Sequence, residues 1–237
     1  MRIDKRRPNQ LRPVLMIPDY VIYPEGSVLI SMGKTKVLCN VTVEDDVPSW
    51  MKQEGKRGGW VTGEYALLPR STLTRTQRET RGLGGRTQEI KRLIGRSLRA
   101  AVNLDKLGAH TCIVDCDVLQ ADGGTRTAAI TGGYVALVMA LQKFINSGKI
   151  SENVFASPIA AISVGVVEGK PLLDLCYEED ATADMDVNVV MNGNDEFVEV
   201  QGTAEGATIP RKLFDELLDL AQQGISELLA YQRALLS

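Results

Sequence analysis

The sequence predicts an α+β fold in two similar halves, each packing mixed sheet against helix. Period-two apolar alternation followed by a helical apolar pattern occurs twice along the chain. No Pro-, Gly- or Ser-rich tract separates the two occurrences, so residues 1–237 read as a single domain. The 237 residues, 44% hydrophobic and 24% charged, suit one unit with a sizeable core.

The elements follow in order. Across residues 27–44, Val37, Cys39, Val41 and Val43 fall on one face and Leu38, Asn40 and Thr42 on the other, with Gly33-Lys34 at a turn, which predicts a hairpin. Residues 70–85 are rich in Arg, Thr and Gly without any period, the pattern of a long functional loop. Residues 87–103 place Ile90, Leu93, Ile94, Leu98 and Ala101 at helical spacing, with Lys91, Arg92, Arg96 and Arg99 mainly on other faces. A strand over 111–119 precedes an apolar helix over 127–145, whose Gly132-Gly133 pair predicts close packing.

The second half restarts with a strand over 159–167, a turn at Glu168-Gly169-Lys170 and a strand over 172–177. Alternation over 185–191 runs into Asn192-Gly193, a hairpin signal, and then a strand over 196–200. A helix from about Pro210 through Leu229 closes the chain.

Charge is uneven. Between Arg70 and Arg99 nine bases face two acids, a charge of +7 that leaves −10 for the rest of a chain whose net charge is −3. Arginine outnumbers lysine eight to one there, as suits a surface that holds phosphate oxygens with planar forks of donors. Taken singly, Lys91, Arg92 and Arg99 fit a solvated helix face. Arg2, Lys5, Arg6, Arg7 and Arg12 form a second basic group opposed only by Asp4.

Several classes are set aside. One histidine, His110, cannot make a His-x-x-x-His zinc site and gives little basis for a histidine-dependent triad. The four cysteines, Cys39, Cys112, Cys116 and Cys176, contain no Cys-x-x-Cys pair and read as small core hydrophobes. The polar start lacks an apolar leader and no run approaches the roughly 18 apolar residues of a span, so the expected location is the cytoplasm. Neither a Gly-x-x-x-x-Gly-Lys-Ser/Thr loop nor a dinucleotide-binding glycine motif occurs.

Two segments bring glycine and arginine to a helix start: Gly82-Leu83-Gly84-Gly85-Arg86-Thr87 and Asp122-Gly123-Gly124-Thr125-Arg126-Thr127. Unpaired backbone N–H groups at a helix N-terminus attract anions, so both are candidate phosphate cradles with an arginine clamp. A turn requiring positive φ explains Gly123-Gly124 equally well. A third feature is acidic: Glu178, Glu179, Asp180, Asp184 and Asp186, followed by Asn188. On a strand, Asp184, Asp186 and Asn188 share one face, where carboxylates and an amide oxygen suit Mg²⁺ or Mn²⁺ or proton donation to a leaving oxygen. Glu178, Glu179 and Asp184 read as solvated; for Asp180 and Asp186 both readings stand.

Asn9-Gln10-Leu11-Arg12-Pro13, Leu68-Pro69-Arg70-Ser71-Thr72, Gly85-Arg86-Thr87-Gln88-Glu89-Ile90, the stretch from Asp115 to Thr127, and Val200-Gln201-Gly202-Thr203-Ala204-Glu205-Gly206 resemble the bacterial ribonuclease PH family, and the likeness spans nearly the whole chain. The resemblance implies a ribosomal-protein-S5-domain-2-like fold and a phosphorolytic 3′-to-5′ exoribonuclease. Such an enzyme removes nucleotides following the CCA end of tRNA precursors, and trims other structured RNA 3′ ends, using inorganic phosphate and releasing nucleoside diphosphates. It further implies phosphate binding by Arg86, Gly124, Thr125 and Arg126, a catalytic and Mg²⁺- or Mn²⁺-binding pair in Asp180 and Asp186, and RNA contact by Arg70, Arg75, Arg78 and Arg81. A homohexamer, a trimer of dimers, is implied as the assembly. The rival within this resemblance is a non-catalytic RNA-binding subunit of an exosome-like ring.

Overall fold

The computed structural model describes residues 2–204 and 208–237, so Glu205 and Gly206 of the resembling segment lie outside it. The first half comprises β1 (Val14–Pro18), β2 (Gly26–Met32), β3 (Thr35–Glu44), α1 (Ser49–Gln53), β4 (Trp60–Leu67), α2 (Gly85–Ala100), α3 (Leu104–Leu107), β5 (Thr111–Gln120) and α4 (Thr125–Asn146). After a 3₁₀ turn at Glu152–Val154 come β6 (Ile159–Val167), β7 (Lys170–Leu173), α5 (Tyr177–Asp180), β8 (Met185–Asn192), β9 (Phe197–Ala204) and α6 (Arg211–Leu236).

The first sheet has strand order β1-β2-β3-β5-β4 and the second β7-β6-β8-β9. Only the first is mixed: β4 runs parallel to β5, reached through the α2 crossover, while the other pairings are antiparallel. The second sheet corrects the expectation of two mixed sheets, because all its pairings are antiparallel. Tight turns join β6 to β7 and β8 to β9, and such turns can connect only antiparallel strands.

Helix α4 packs on β2, β3 and β5 of one sheet and on β6 and β8 of the other, and a single apolar cluster runs through both halves. Burial on several sides explains its strongly apolar sequence. The close packing expected of Gly132 is present, since a Cβ there would lie 2.6 Å from Cγ2 of Ile30. By length and a mean hydropathy of 1.5, α4 is apolar enough to cross a membrane, which the sequence had not suggested of any segment; here both sheets cover it.

Other boundaries moved for identifiable reasons. The strand expected over 172–177 ends at Leu173, because Asp174 adopts φ +56° and Tyr177 opens α5. The sequence carries no clear signal for strand β4, because Gly63 occupies the inward position between Val61 and Tyr65 and interrupts the apolar alternation. Cys39, Cys112 and Cys116 are buried as expected, but Cys176 is only partly buried and caps α5.

Candidate active site

A cavity of about 520 Å³ opens where the two halves meet, and the loop after β4, the starts of α2 and α4, α5 and β8 all contribute to its walls. Arg86, Gly124, Thr125, Arg126, Asp180 and Asp186, drawn from segments far apart in sequence, all line it.

The basic wall is built at two helix starts. Helix α4 begins at Thr125 with Gly124 as N-cap, and no side chain caps it, so its first N–H groups face the cavity end of the helix. Gly123 and Gly124 have φ of +75° and +64°, so the turn reading of this pair is met at a position that also lines the cavity. Thr127 Oγ1 donates to the Gly124 carbonyl at 2.9 Å, and Tyr65 and Thr125 share a buried hydroxyl hydrogen bond of 2.8 Å. Burial raises the Tyr65 phenol above its ordinary 10.0, so it stays neutral beside the arginines. Arg126 donates to Glu89 of α2 at 3.1 Å and to Gln201 of β9 at 3.2 Å, which orients it from both halves. Helix α2 starts at Gly85, two residues earlier than its periodicity indicates, and thereby puts Arg86 in the first turn.

The same cavity is lined by Asp180 at the end of α5 and by Asp186 and Asn188 on β8. Asp180 reaches solvent, yet it sits recessed enough that burial raises its carboxyl above the ordinary 3.8, with Asp186 adding to the rise and Arg86, Arg126 and Arg12 opposing it. With a raised native pKa, the folded state binds more protons than the unfolded one just above pH 3.8, so this group's contribution to stability falls as pH rises through that window. Asp180→Asn is therefore expected to raise the thermal unfolding midpoint at neutral pH and to flatten that part of the pH–stability curve, read by calorimetry. Asp184 does not join the pair: it precedes β8, and its carboxylate accepts from the Gly169 N–H at 3.3 Å.

Among the described residues no three His, Cys, Asp or Glu side chains converge as a metal cage. Two carboxylates and the Asn188 amide oxygen nonetheless offer hard oxygen donors on one wall, which fits a cation that keeps several waters, as Mg²⁺ does. His110 lies elsewhere, bonded to the Leu107 carbonyl at 2.9 Å and set edge-on against Phe144.

The basic groups divide sharply. Arg70, Arg75, Arg78 and Arg81 are all exposed on the long loop, while that loop's Thr72, Thr74 and Thr76 line the cavity. Arg99, by contrast, is no solvated residue: it donates to the Val61 carbonyl at 2.8 Å and stacks 4.3 Å over Trp60. Lys91 pairs with Glu64. Of the N-terminal group, Lys5 and Arg7 are exposed, whereas the other three bases are paired. Arg2 is 8% exposed and pairs with Glu179 at 2.7 Å, Arg6 approaches Asp174 and Glu179 at 3.7 Å, and Arg12 pairs with Asp174 at 2.6 Å.

Glu179, expected in solvent, is thus 4% exposed and anchors the turn that ends in Asp180. Burial alone would raise its carboxyl, but hydrogen bonds from Arg2 and the Cys176 N–H and the charges of Arg2 and Arg6 hold it below the ordinary 4.5. Its stabilisation is full above about pH 4.5 and is lost as pH falls through the depressed native value. Glu179→Gln is expected to cost about 2 kcal/mol at neutral pH, measured by denaturant unfolding, with the difference shrinking in acid.

Arginines, an open helix start and carboxylates lining one cavity between two α+β halves define an enzyme that transfers phosphoryl or nucleotidyl groups. Models for domains 1 and 2 of the 3′ exoribonuclease family match residues 10–141 and 157–224, and the chain belongs to this family. It is 54% identical to ribonuclease PH of Syntrophomonas wolfei, over 99% of this chain and 98% of that protein. It is 53% identical to ribonuclease PH of Bacillus pumilus, over 99% and 97%. Among solved structures, rice Rrp46 superposes with a TM-score of 0.80 at 20% identity, covering 98% of both chains, a likeness of fold. An Archaeoglobus fulgidus exosome with RNA bound to the active site superposes at 0.78 with 26% identity, covering 97% of this chain and 92% of that one.

Arg12, Tyr65, Ser163 and Asp174 were not picked out as site residues in the sequence. Tyr65 and Ser163 line the cavity, whereas Arg12 and Asp174 lie just behind it. With Gly63 interrupting the alternation, no clear local signal marks Tyr65, and none marks the pairing of Arg12 with Asp174, although Arg12 stands in the Asn9–Pro13 segment that resembles the family.

Proposed function

We propose that the chain is a phosphorolytic 3′-to-5′ exoribonuclease acting on tRNA precursors beyond the CCA end and on other structured RNA 3′ ends, in the bacterial cytoplasm, as a homohexamer whose subunit is one domain of residues 1–237. The convergence of Arg86, Arg126 and the α4 start with Asp180 and Asp186 across one cavity carries this reading, and the name borne by its bacterial relatives supports it.

Inorganic phosphate sits against Arg86, Arg126 and the N–H groups at Thr125, where guanidinium forks and the helix end neutralise it. One phosphate oxygen attacks the phosphorus of the terminal 3′-phosphodiester. The bond to the leaving 3′-oxygen breaks, and the nucleotide departs as its 5′-diphosphate. The leaving oxygen takes up a proton at the acidic wall, where Asp186 and the raised carboxyl of Asp180 stand together. Asp180, Asp186 and Asn188 are the residues that would hold Mg²⁺ or Mn²⁺, which when bound supplies further charge neutralisation. Catalysis is then chiefly positioning and electrostatic stabilisation.

RNA is gripped by the exposed Arg70, Arg75, Arg78 and Arg81. Each phosphate neutralised releases counterions, so affinity falls steeply with salt. Arg78→Ala is expected to weaken tRNA binding without sequence preference and to reduce the slope of log affinity against log salt by about 0.7 to 0.9, measured by fluorescence anisotropy across a salt series. An unchanged slope excludes this arginine from the interface.

The functional reading is tested by incubating a 3′-extended tRNA with Mg²⁺, with and without phosphate. Release that requires phosphate and yields nucleoside diphosphates supports it. Phosphate-independent monophosphates identify a hydrolase, and tight RNA binding without release identifies a non-catalytic subunit.

A further inference from the structure

Behind the cavity, one side chain ties together the two loops that bring its basic and its acidic groups to it. Arg12 is 3% exposed and Asp174 is wholly buried, and they meet as a two-pronged pair, Nε to Oδ2 at 3.0 Å and Nη2 to Oδ1 at 2.6 Å. The Arg12 backbone N–H donates to the same carboxylate at 2.8 Å. Its remaining arm, Nη1, donates to the Asp122 carbonyl at 2.5 Å, in the loop that leads into α4. Asp174 opens the segment that ends in Asp180, so a single guanidinium spans from the phosphate-side loop to the acidic side.

Further ties complete the brace. Thr35 Oγ1 donates to the Gly123 carbonyl at 2.7 Å and accepts from the Asp122 N–H at 2.9 Å. On the acidic side, the Asp174 N–H donates to the Ser163 carbonyl at 2.7 Å, and the Leu175 N–H donates to Ser163 Oγ at 3.3 Å. Space is allotted to the Arg12 side chain in particular: a Cβ at Gly33 would lie 2.6 Å from its Cδ, and a Cβ at Gly124 would lie 3.0 Å from its Nη2. A buried charge pair is weak evidence for stability, since an apolar pair of similar volume often serves as well. Its fork geometry, in contrast, fixes two backbone segments relative to each other.

We propose that Arg12 is a positioning residue: it never reaches the reacting atoms, but it holds the Asp122–Gly124 loop in register with the acidic turn and thereby sets the affinity of the cavity for inorganic phosphate. The inference rests on the phosphorolytic reading above. Arg12→Lys keeps a positive charge beside Asp174 yet cannot keep both arms. Thr35→Val, nearly isosteric, cuts the loop's second tie and leaves the ion pair in place.

Both variants are compared with the wild type by phosphate titration calorimetry, by KM for phosphate and for RNA, and by thermal unfolding. The expected result is a rise of about tenfold in the phosphate Kd and KM, with the KM for RNA unchanged, because the exposed arginine loop is not touched. Wild-type phosphate Kd and KM in both variants overturn the inference, as does an equal loss of phosphate and RNA affinity accompanying a lowered midpoint, which marks general damage. Should Arg12→Lys not fold, Asp174→Asn, which weakens the same fork from its other end, is measured in its place. Calorimetry needs no turnover, so failure of the phosphorolytic reading, seen as phosphate-independent monophosphate release by the wild type, is separable from failure of the brace.

Discussion

Arg126→Ala is expected to lower phosphate-dependent nucleotide release by about a thousandfold while leaving the fold intact. Arg126 is held toward the cavity by Glu89 and Gln201, so its guanidinium is oriented before any phosphate arrives. A preorganised donor aimed at developing charge loses no reorganisation energy during reaction, which is why its removal is felt mainly in the rate. Arg86→Ala should act in the same direction, through the KM for phosphate as much as through kcat, because Arg86 is exposed and carries fewer fixed contacts. Circular dichroism checks the fold, and steady-state rates at saturating RNA across a phosphate series check the effect. A rate within threefold of wild type for Arg126→Ala would remove it from the phosphate site.

The second large effect is expected from Gly123→Ala. A Cβ at Gly123 would stand 2.6 Å from the Leu175 carbonyl oxygen and 2.8 Å from the Cys176 carbonyl carbon, both backbone atoms that cannot rotate away. The residue also has φ +75°, which an alanine adopts only with strain. The glycine thus lets the Asp122–Gly124 loop and the acidic turn touch backbone to backbone, and a methyl group must wedge them apart. A displacement near 1 Å between reacting groups costs about a hundredfold in rate. The expected result is that loss in kcat, together with about 1 to 3 kcal/mol of destabilisation by denaturant unfolding. Near-normal kcat would show that the walls can separate without consequence.

What the sequence made legible was local. The β2–β3 hairpin, the long arginine loop, helices α2, α4 and α6 and the β8–β9 hairpin all carry their period or turn residues within a few positions of one another. The Gly124 to Arg126 segment and the Asp180 and Asp186 pair come together at one cavity, but from the residues alone more than one reading of each stood, and their roles follow from the family resemblance. What stayed hidden depends on partners remote in the chain. Arg2, Arg6 and Arg12 read as a basic surface because their acids, Asp174 and Glu179, lie over 160 residues away, as the 162-residue separation of Arg12 and Asp174 shows. Glu179 read as solvated for the same reason. The short turns make the β6–β7 and β8–β9 hairpins readable, but the antiparallel β6–β8 pairing joins strands separated by β7 and α5, and the parallel β4–β5 pairing rests on a strand whose own pattern Gly63 interrupts.

The whole mechanism turns on inorganic phosphate itself being the nucleophile. Incubation of a 3′-extended tRNA with the wild-type protein, Mg²⁺ and radiolabelled inorganic phosphate tests it directly, with the released mononucleotides resolved by chromatography. Label is expected in nucleoside diphosphates, one labelled phosphate per nucleotide removed, and in none with Arg126→Ala. Release of unlabelled nucleoside monophosphates would contradict it and would make water, not phosphate, the attacking group.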